Sequence, residues 1–211
     1  MTVFKGWENY TEKIYKNWNK IVTDNDTVVV PGDISWAMKL HKSFEDLKFI
    51  HELPGRKILL KGNHDLWWET ISKLENFINE HGFDTISFLH NNAFVVDDYA
   101  ICGSRGWFFD DDSGNDKKVL LREAMRVDRS IELGRQTGKI PLVFLHYPPI
   151  TMEAVCHEIM DVLIKHEIKN CYYGHIHGAR YARCYNDVYE GIRFKPVSCD
   201  ILNFIPMKIM I

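Results

Sequence analysis

Apolar positions along the chain recur with two periods. Tyr10, Ile14, Trp18 and Ile21 share one face at helical spacing, as do Leu40, Phe44, Leu47 and Ile50. Ile71, Leu74 and Ile78 predict a helix that stops at Gly82, and Val155, Ile159 and Leu163 predict another. Short strand-like runs lie between them: residues 27–31 (TVVVP), 57–60 (KILL), 142–145 (LVFL) and 171–173 (CYY). Strands alternating with helices indicate an α/β fold with a largely parallel sheet. Two stretches break the alternation, 86–103 and 187–211, and both read as hairpins or meanders. They predict a second, more antiparallel sheet packed on the first.

Composition adds bounds. The chain has 211 residues, 45% of them hydrophobic, enough for one sizeable core. No repeat or flexible linker divides it, so residues 1–211 read as one domain. A net charge of −3 leaves nucleic acid disfavoured as the main partner. The N-terminus carries no signal-peptide pattern, and no apolar run approaches the ~20 residues that span a bilayer. Five cysteines without a C-x-x-C pair read as reduced thiols in a cytoplasmic protein. Oligomeric state is not legible.

Each strand-like run is followed by polar residues of metal-ligand type. After TVVVP comes Gly32-Asp33; after KILL comes Lys61-Gly62-Asn63-His64-Asp65; after LVFL comes His146; after CYY comes Gly174-His175-Ile176-His177. Parallel strands would send all four loops to one carboxyl edge, where open α/β sheets bind ligands. Taken singly these are weak: Gly-Asp after a strand is common, and a lone His at a strand end is more often structural. As an ordered set, Asp33, Asn63, His64, Asp65, His146, His175 and His177 offer carboxylate, carbonyl and imidazole donors without thiolate. That mixture suits Mn²⁺, Fe or Zn²⁺. On an extended segment His175 and His177 would point the same way and could serve one metal or two.

The motifs GDIS (residues 32–35), GNHD (62–65), His146 of LHYPP and GHIH (174–177) resemble, in order and spacing, the calcineurin-like metallophosphoesterase superfamily over residues 27–205 or so. GDISWAM and GSRGW are similar to bacterial predicted phosphohydrolases. The resemblance implies a four-layer αββα fold, two packed mixed β-sheets flanked by helices, with a dinuclear metal site. Asp33 would bridge the metals; Asn63, His146 and His175 would complete one, and His177 would bind the other. Metal-activated hydroxide would attack the phosphorus of a phosphomonoester or phosphodiester. His64 would stabilise charge or protonate the leaving oxygen, and Asp65 would hold its imidazole. The family pattern opens with Asp-x-His on a leading strand. This chain contains no Asp-x-His, and no histidine precedes His41. The leading strand is therefore expected to be missing, with the second metal doubtful and an impaired or inactive metal-binding or protein-interaction scaffold of the same fold as the competing function.

Other residues carry less. Arg105 of GSRGW reads as an ion-pair partner or, less favoured, a phosphate-binding guanidinium. Trp36, Trp67, Trp68 and Trp107 follow motif loops and could rim the site, although packing is the commoner use. The run Asp110-Asp111-Asp112 reads as a solvated loop, and His41, His51, His81, His90, His157 and His166 as non-functional.

Overall fold

The computed structural model describes residues 6–107 and 116–209. The elements run α1 (Tyr10–Ile21), β1 (Thr27–Val30), α2 (Phe44–Glu52), β2 (Arg56–Leu59), α3 (Ile71–Glu80), β3 (Ile86–Phe88), β4 (Ala93–Val96), β5 (Tyr99–Ser104), α4 (Asp116–Gln136), β6 (Ile140–Leu145), α5 (His157–Lys165), β7 (Asn170–Tyr173), β8 (Val188–Tyr189) and β9 (Ile192–Pro196). Two sheets form. The first, in order β1-β2-β3, is parallel throughout. The second, in order β4-β5-β6-β7-β9-β8, is parallel from β5 to β9 and closed on each side by an antiparallel strand.

Side-chain alternation shows why this is a sandwich. Ile58 and Leu60 face inward to meet Ile101, Leu142, Phe144 and Tyr172 of the second sheet. Leu59, between them, faces outward onto a layer holding Leu47 of α2 and Leu74 and Ile78 of α3. In the second sheet Val143, Leu145, Cys171 and Tyr173 face outward against Val127 and Ile131 of α4 and Ile159 and Leu163 of α5. Strands buried on both faces need the unbroken apolar runs seen in the sequence. The result is the four-layer α/β/β/α arrangement.

Three details differ from the pattern-based reading. The four motif strands do not share one sheet: β1 and β2 lie in the first, β6 and β7 in the second. The segment at 86–88 pairs in parallel with β2 rather than joining the second sheet. Its connection from β2 runs through α3, which makes it a crossover strand and not part of a hairpin. In α1 only Trp18 of the expected face is buried, its indole N–H bonded to the Pro54 carbonyl at 3.0 Å, while Ile21 is half exposed. Among the described residues β1 forms an outer edge of the first sheet and is half-buried along its length.

At the opposite end of β2 from its motif loop, Lys57 is fully buried. Its ammonium donates to the carbonyls of His51 (3.0 Å) and Leu53, capping the end of α2. Burial lowers its pKa to about 8, against the upward pull of Asp84 and Asp24. The unfolded lysine titrates near 10.5. Between these values the unfolded chain holds the extra proton, so this group adds stability as pH rises. Relative to Lys57→Met, the native protein should gain stability in urea melts taken from about pH 8 to about pH 10. A difference that stays flat with pH would show that burial leaves this ammonium unperturbed.

Candidate metal centre

The two sheets bring their motif loops together at one rim. Gly32 and Gly62 make the approach possible on the first sheet. A Cβ on Gly62 would lie 2.1 Å from Asp33 Oδ1, and one on Gly32, already at φ +94°, would lie 2.7 Å from His146 Nδ1. No larger residue fits either place without moving backbone. Asp33 follows in a left-handed conformation, φ +56°.

Asp65 fastens these loops. Its carboxylate is fully buried and accepts five N–H bonds: from the backbones of Asp33 (2.8 Å), Ile34 (2.8 Å), Ser35 (3.0 Å) and Gly62 (2.7 Å), and from the Trp67 indole (2.9 Å). Burial raises its pKa while the backbone N–H groups draw it down. Every partner is a donor, so only the ionised form satisfies all five. The resemblance assigns Asp65 to the His64 imidazole. Its two oxygens are occupied elsewhere, and no bond to that ring occurs among the described residues. Trp67 is buried as the fifth donor and Trp68 packs in the core, so neither belongs to an exposed rim.

Four donors converge above this frame. One ligand atom each from Asp33, His146 and His175 lies within 4.8 Å of the others. Asn63 Oδ1 sits among them, 2.7 Å from His146 Nε2 and 3.0 Å from His175 Nδ1. His146 is buried and its Nδ1 donates to the Pro31 carbonyl at 2.8 Å, a bond that also ties the second sheet to the first. Burial lowers the pKa of this ring, favouring the neutral form. Nε2 of that tautomer carries a lone pair and faces the Asn63 oxygen, another acceptor. Two lone pairs at 2.7 Å repel unless both ligate a cation beside them. This arrangement, with the Asp33 carboxylate 3.6 Å from the same nitrogen, fits a bound divalent ion. The Pro31 contact supplies the tautomer-fixing second bond that metal-binding imidazoles commonly make.

His177 is not one of the three residues whose ligand atoms lie within 4.8 Å of one another. His175 has φ +65°, so the segment is not extended there. The His177 ring packs edge-on towards Trp7, with centroids 6.2 Å apart. His64 is exposed, its ring 5.8 Å from that of Trp36, and its backbone N–H donates to Asp33 Oδ1 at 2.9 Å. Arg105 lies beside the centre, its guanidinium 5.0 Å from the Trp107 ring centroid. Asp110, Asp111 and Asp112 lie outside the described residues.

Removing the five-donor acceptor should loosen both loops at once. Asp65→Asn puts an amide N–H against N–H donors and should cost about 3–5 kcal/mol. His64→Ala, at an exposed position, should stay within about 0.5 kcal/mol of the native protein. Chemical denaturation of the two variants checks the contrast.

Comparison with known proteins bears on the fold and the family. Solved structures of like fold include a protein of unknown function, AQ665, from Aquifex aeolicus (TM-score 0.51, 20% identity, 97% of this chain and 82% of that one). The protein TT1561 of Thermus thermophilus is similar too, with TM-score 0.57 and 16% identity over 84% and 82% of the two chains. An uncharacterized protein of Methanocaldococcus jannaschii is 27% identical over 97 residues, 44% of this chain; the chain spans 54% of the length of that curated relative. A family model of the calcineurin-like phosphoesterases matches residues 4–179, a stretch that contains all four motif loops, and the chain therefore belongs to that family.

Proposed function

We propose that this chain is a metal-dependent phosphoesterase, acting on a phosphomonoester or phosphodiester. The observation that carries the reading is the Asn63 carbonyl oxygen held between two imidazole nitrogens beside the Asp33 carboxylate. Asp33, Asn63, His146 and His175 would hold a divalent cation, with Mn²⁺, Fe or Zn²⁺ suited to this oxygen and nitrogen set. When bound, such an ion polarises a phosphoryl oxygen and lowers the pKa of water.

The chain's own groups divide the remaining work. Asp65 acts through the loops it fixes, so it is a positioning residue. His64 stands exposed at the mouth, where an imidazole can give a proton to a leaving oxygen or stabilise charge gathering on it. Trp36 beside it offers an aromatic face to the departing group. His177 is the candidate ligand for a second ion. Its absence from the close group of ligand atoms favours a second reading: one firmly held ion, slow turnover, and a metal-binding scaffold at the limit. Five free thiols, three of them buried, support a cytoplasmic setting.

Metal analysis of the purified chain should give close to one tightly held ion. His175→Ala should lose it, with Asn63→Ala weakened; equal uptake in His175→Ala would overturn the site. Where hydrolysis is measurable, His64→Ala should lower kcat by about 10²–10⁴-fold for alkyl phosphate esters. The loss should be smaller for nitrophenyl esters, whose leaving group needs little protonation. Equal losses on both would remove the leaving-group role.

A further inference from the structure

The loop after β1 carries an indole at the mouth of the site, and the fold keeps it there. Ser35 is buried and pinned three ways. Its backbone N–H donates to Asp65 Oδ1 at 3.0 Å, its hydroxyl donates to Asp46 in the first turn of α2, and its oxygen accepts the Ala37 N–H at 3.1 Å. Ile34 and Ala37 take the inward places, packing against the layer that holds Leu47 and Trp67. With the backbone fixed on both sides, the direction of the Trp36 side chain is set, and its indole stays half exposed. The indole lies 5.8 Å from the His64 ring, the two planes inclined by 39°. Leu66 adjoins the same imidazole: its N–H donates to the His64 carbonyl at 2.8 Å, and its side chain is exposed between buried Asp65 and Trp67. His64 is in turn tied to the donor set through its N–H bond to Asp33 Oδ1. Single exposed apolar side chains are ordinary on a protein surface. These two stand beside the one exposed imidazole next to the donors, on loops that Asp65 holds together. An indole on a fixed loop gives up little freedom when a flat ring stacks on it.

We propose that Trp36, with Leu66 beside it, forms the leaving-group subsite, and that the substrate is a phosphate ester of an aromatic alcohol or phenol. The assignment rests on the phosphoesterase reading. A leaving oxygen that takes a proton from His64 sits within ~3 Å of the imidazole. With the indole 5.8 Å from that imidazole, a flat group borne on the oxygen falls within stacking range of Trp36, where ring centroids roughly 4.5–7 Å apart attract. A leaving group with hydroxyls all round would shed water against indole and leucine and gain no hydrogen bonds from those side chains in return. Proton transfer from His64 alone is indifferent to what the oxygen carries, so selectivity belongs to the apolar pair. Ser35 and Asp46 act through the loop and are positioning residues.

Calorimetric titration of the Mn²⁺-loaded chain with phosphonates, which resist hydrolysis, tests this. Naphthylmethylphosphonate, cyclohexylmethylphosphonate and ethylphosphonate carry the same anion on different groups. The naphthyl compound should bind about tenfold or more tightly than the ethyl one, with the cyclohexyl compound between them. In Trp36→Ala the ratio of naphthyl to ethyl affinity should fall by about fivefold or more, and Leu66→Ser should lower it less. Trp36→Phe, which keeps a ring, should retain most of the ratio. Tyr15→Ala, which removes an exposed aromatic from α1, should leave it as in the native chain. A native ratio near unity, a ratio unmoved by Trp36→Ala, or a cyclohexyl compound that binds as tightly as the naphthyl one would overturn the aromatic subsite. Any of these in a chain that takes up metal and binds all three phosphonates leaves the phosphoesterase reading standing. A metal-loaded chain that binds none of the three overturns the phosphoesterase reading, and the subsite with it.

Discussion

The buried carboxylate of Asp65 is the constraint on which the rest of the site depends. An ionised group at zero exposure is tolerated only when its lone pairs are filled, and five N–H donors fill these. Four of the donors belong to the backbone of two loops, so the charge can be satisfied only when Asp33–Ser35 and Gly62 are already in place. Folding and site assembly therefore become one event on this side of the sandwich. The Trp67 indole extends the requirement into the core, because its ring must be buried for its N–H to reach the carboxylate.

From this frame the other loops follow. Close contact between Gly32 and Gly62 lets the Asp33 carboxylate stand over the second loop. The bond from His146 to the Pro31 carbonyl then links the sheets at their carboxyl ends, fixing the tautomer and aiming the free nitrogen at Asn63. Left-handed backbone at Asp33 and His175 sets the course of two donor loops, in a region that few non-glycine residues enter although Asp and His do so more than most. Such strain persists only where surrounding structure enforces it, and here Asp65 and the packed strands do so. The donor atoms of the candidate site are thus held close to one another.

The rim divides by character. On the Trp36 side stand exposed groups, with His64 beside an indole and Met38 and Leu66 open to solvent. On the β5 side stands half-buried Arg105, its guanidinium over the Trp107 ring. Deeper layers contribute rigidity, since each motif strand is packed against its neighbours up to the residue before its loop.

Sequence by itself determined the alternation of elements, the four strand-to-loop junctions and the identity of the converging donors, Asp33, Asn63, His146 and His175. Those are local properties: apolar period, strand-sized runs, and glycines next to ligand-type residues. Tertiary structure alone decided which sheet each strand joins, because parallel pairing is set by crossover and packing rather than by composition, and so the segment at 86–88 lies beside β2. It also decided the fate of Asp65, since nothing in GNHD distinguishes an acid facing an imidazole from one facing five N–H groups. It also gave His175 a left-handed backbone, which nothing in GHIH announces.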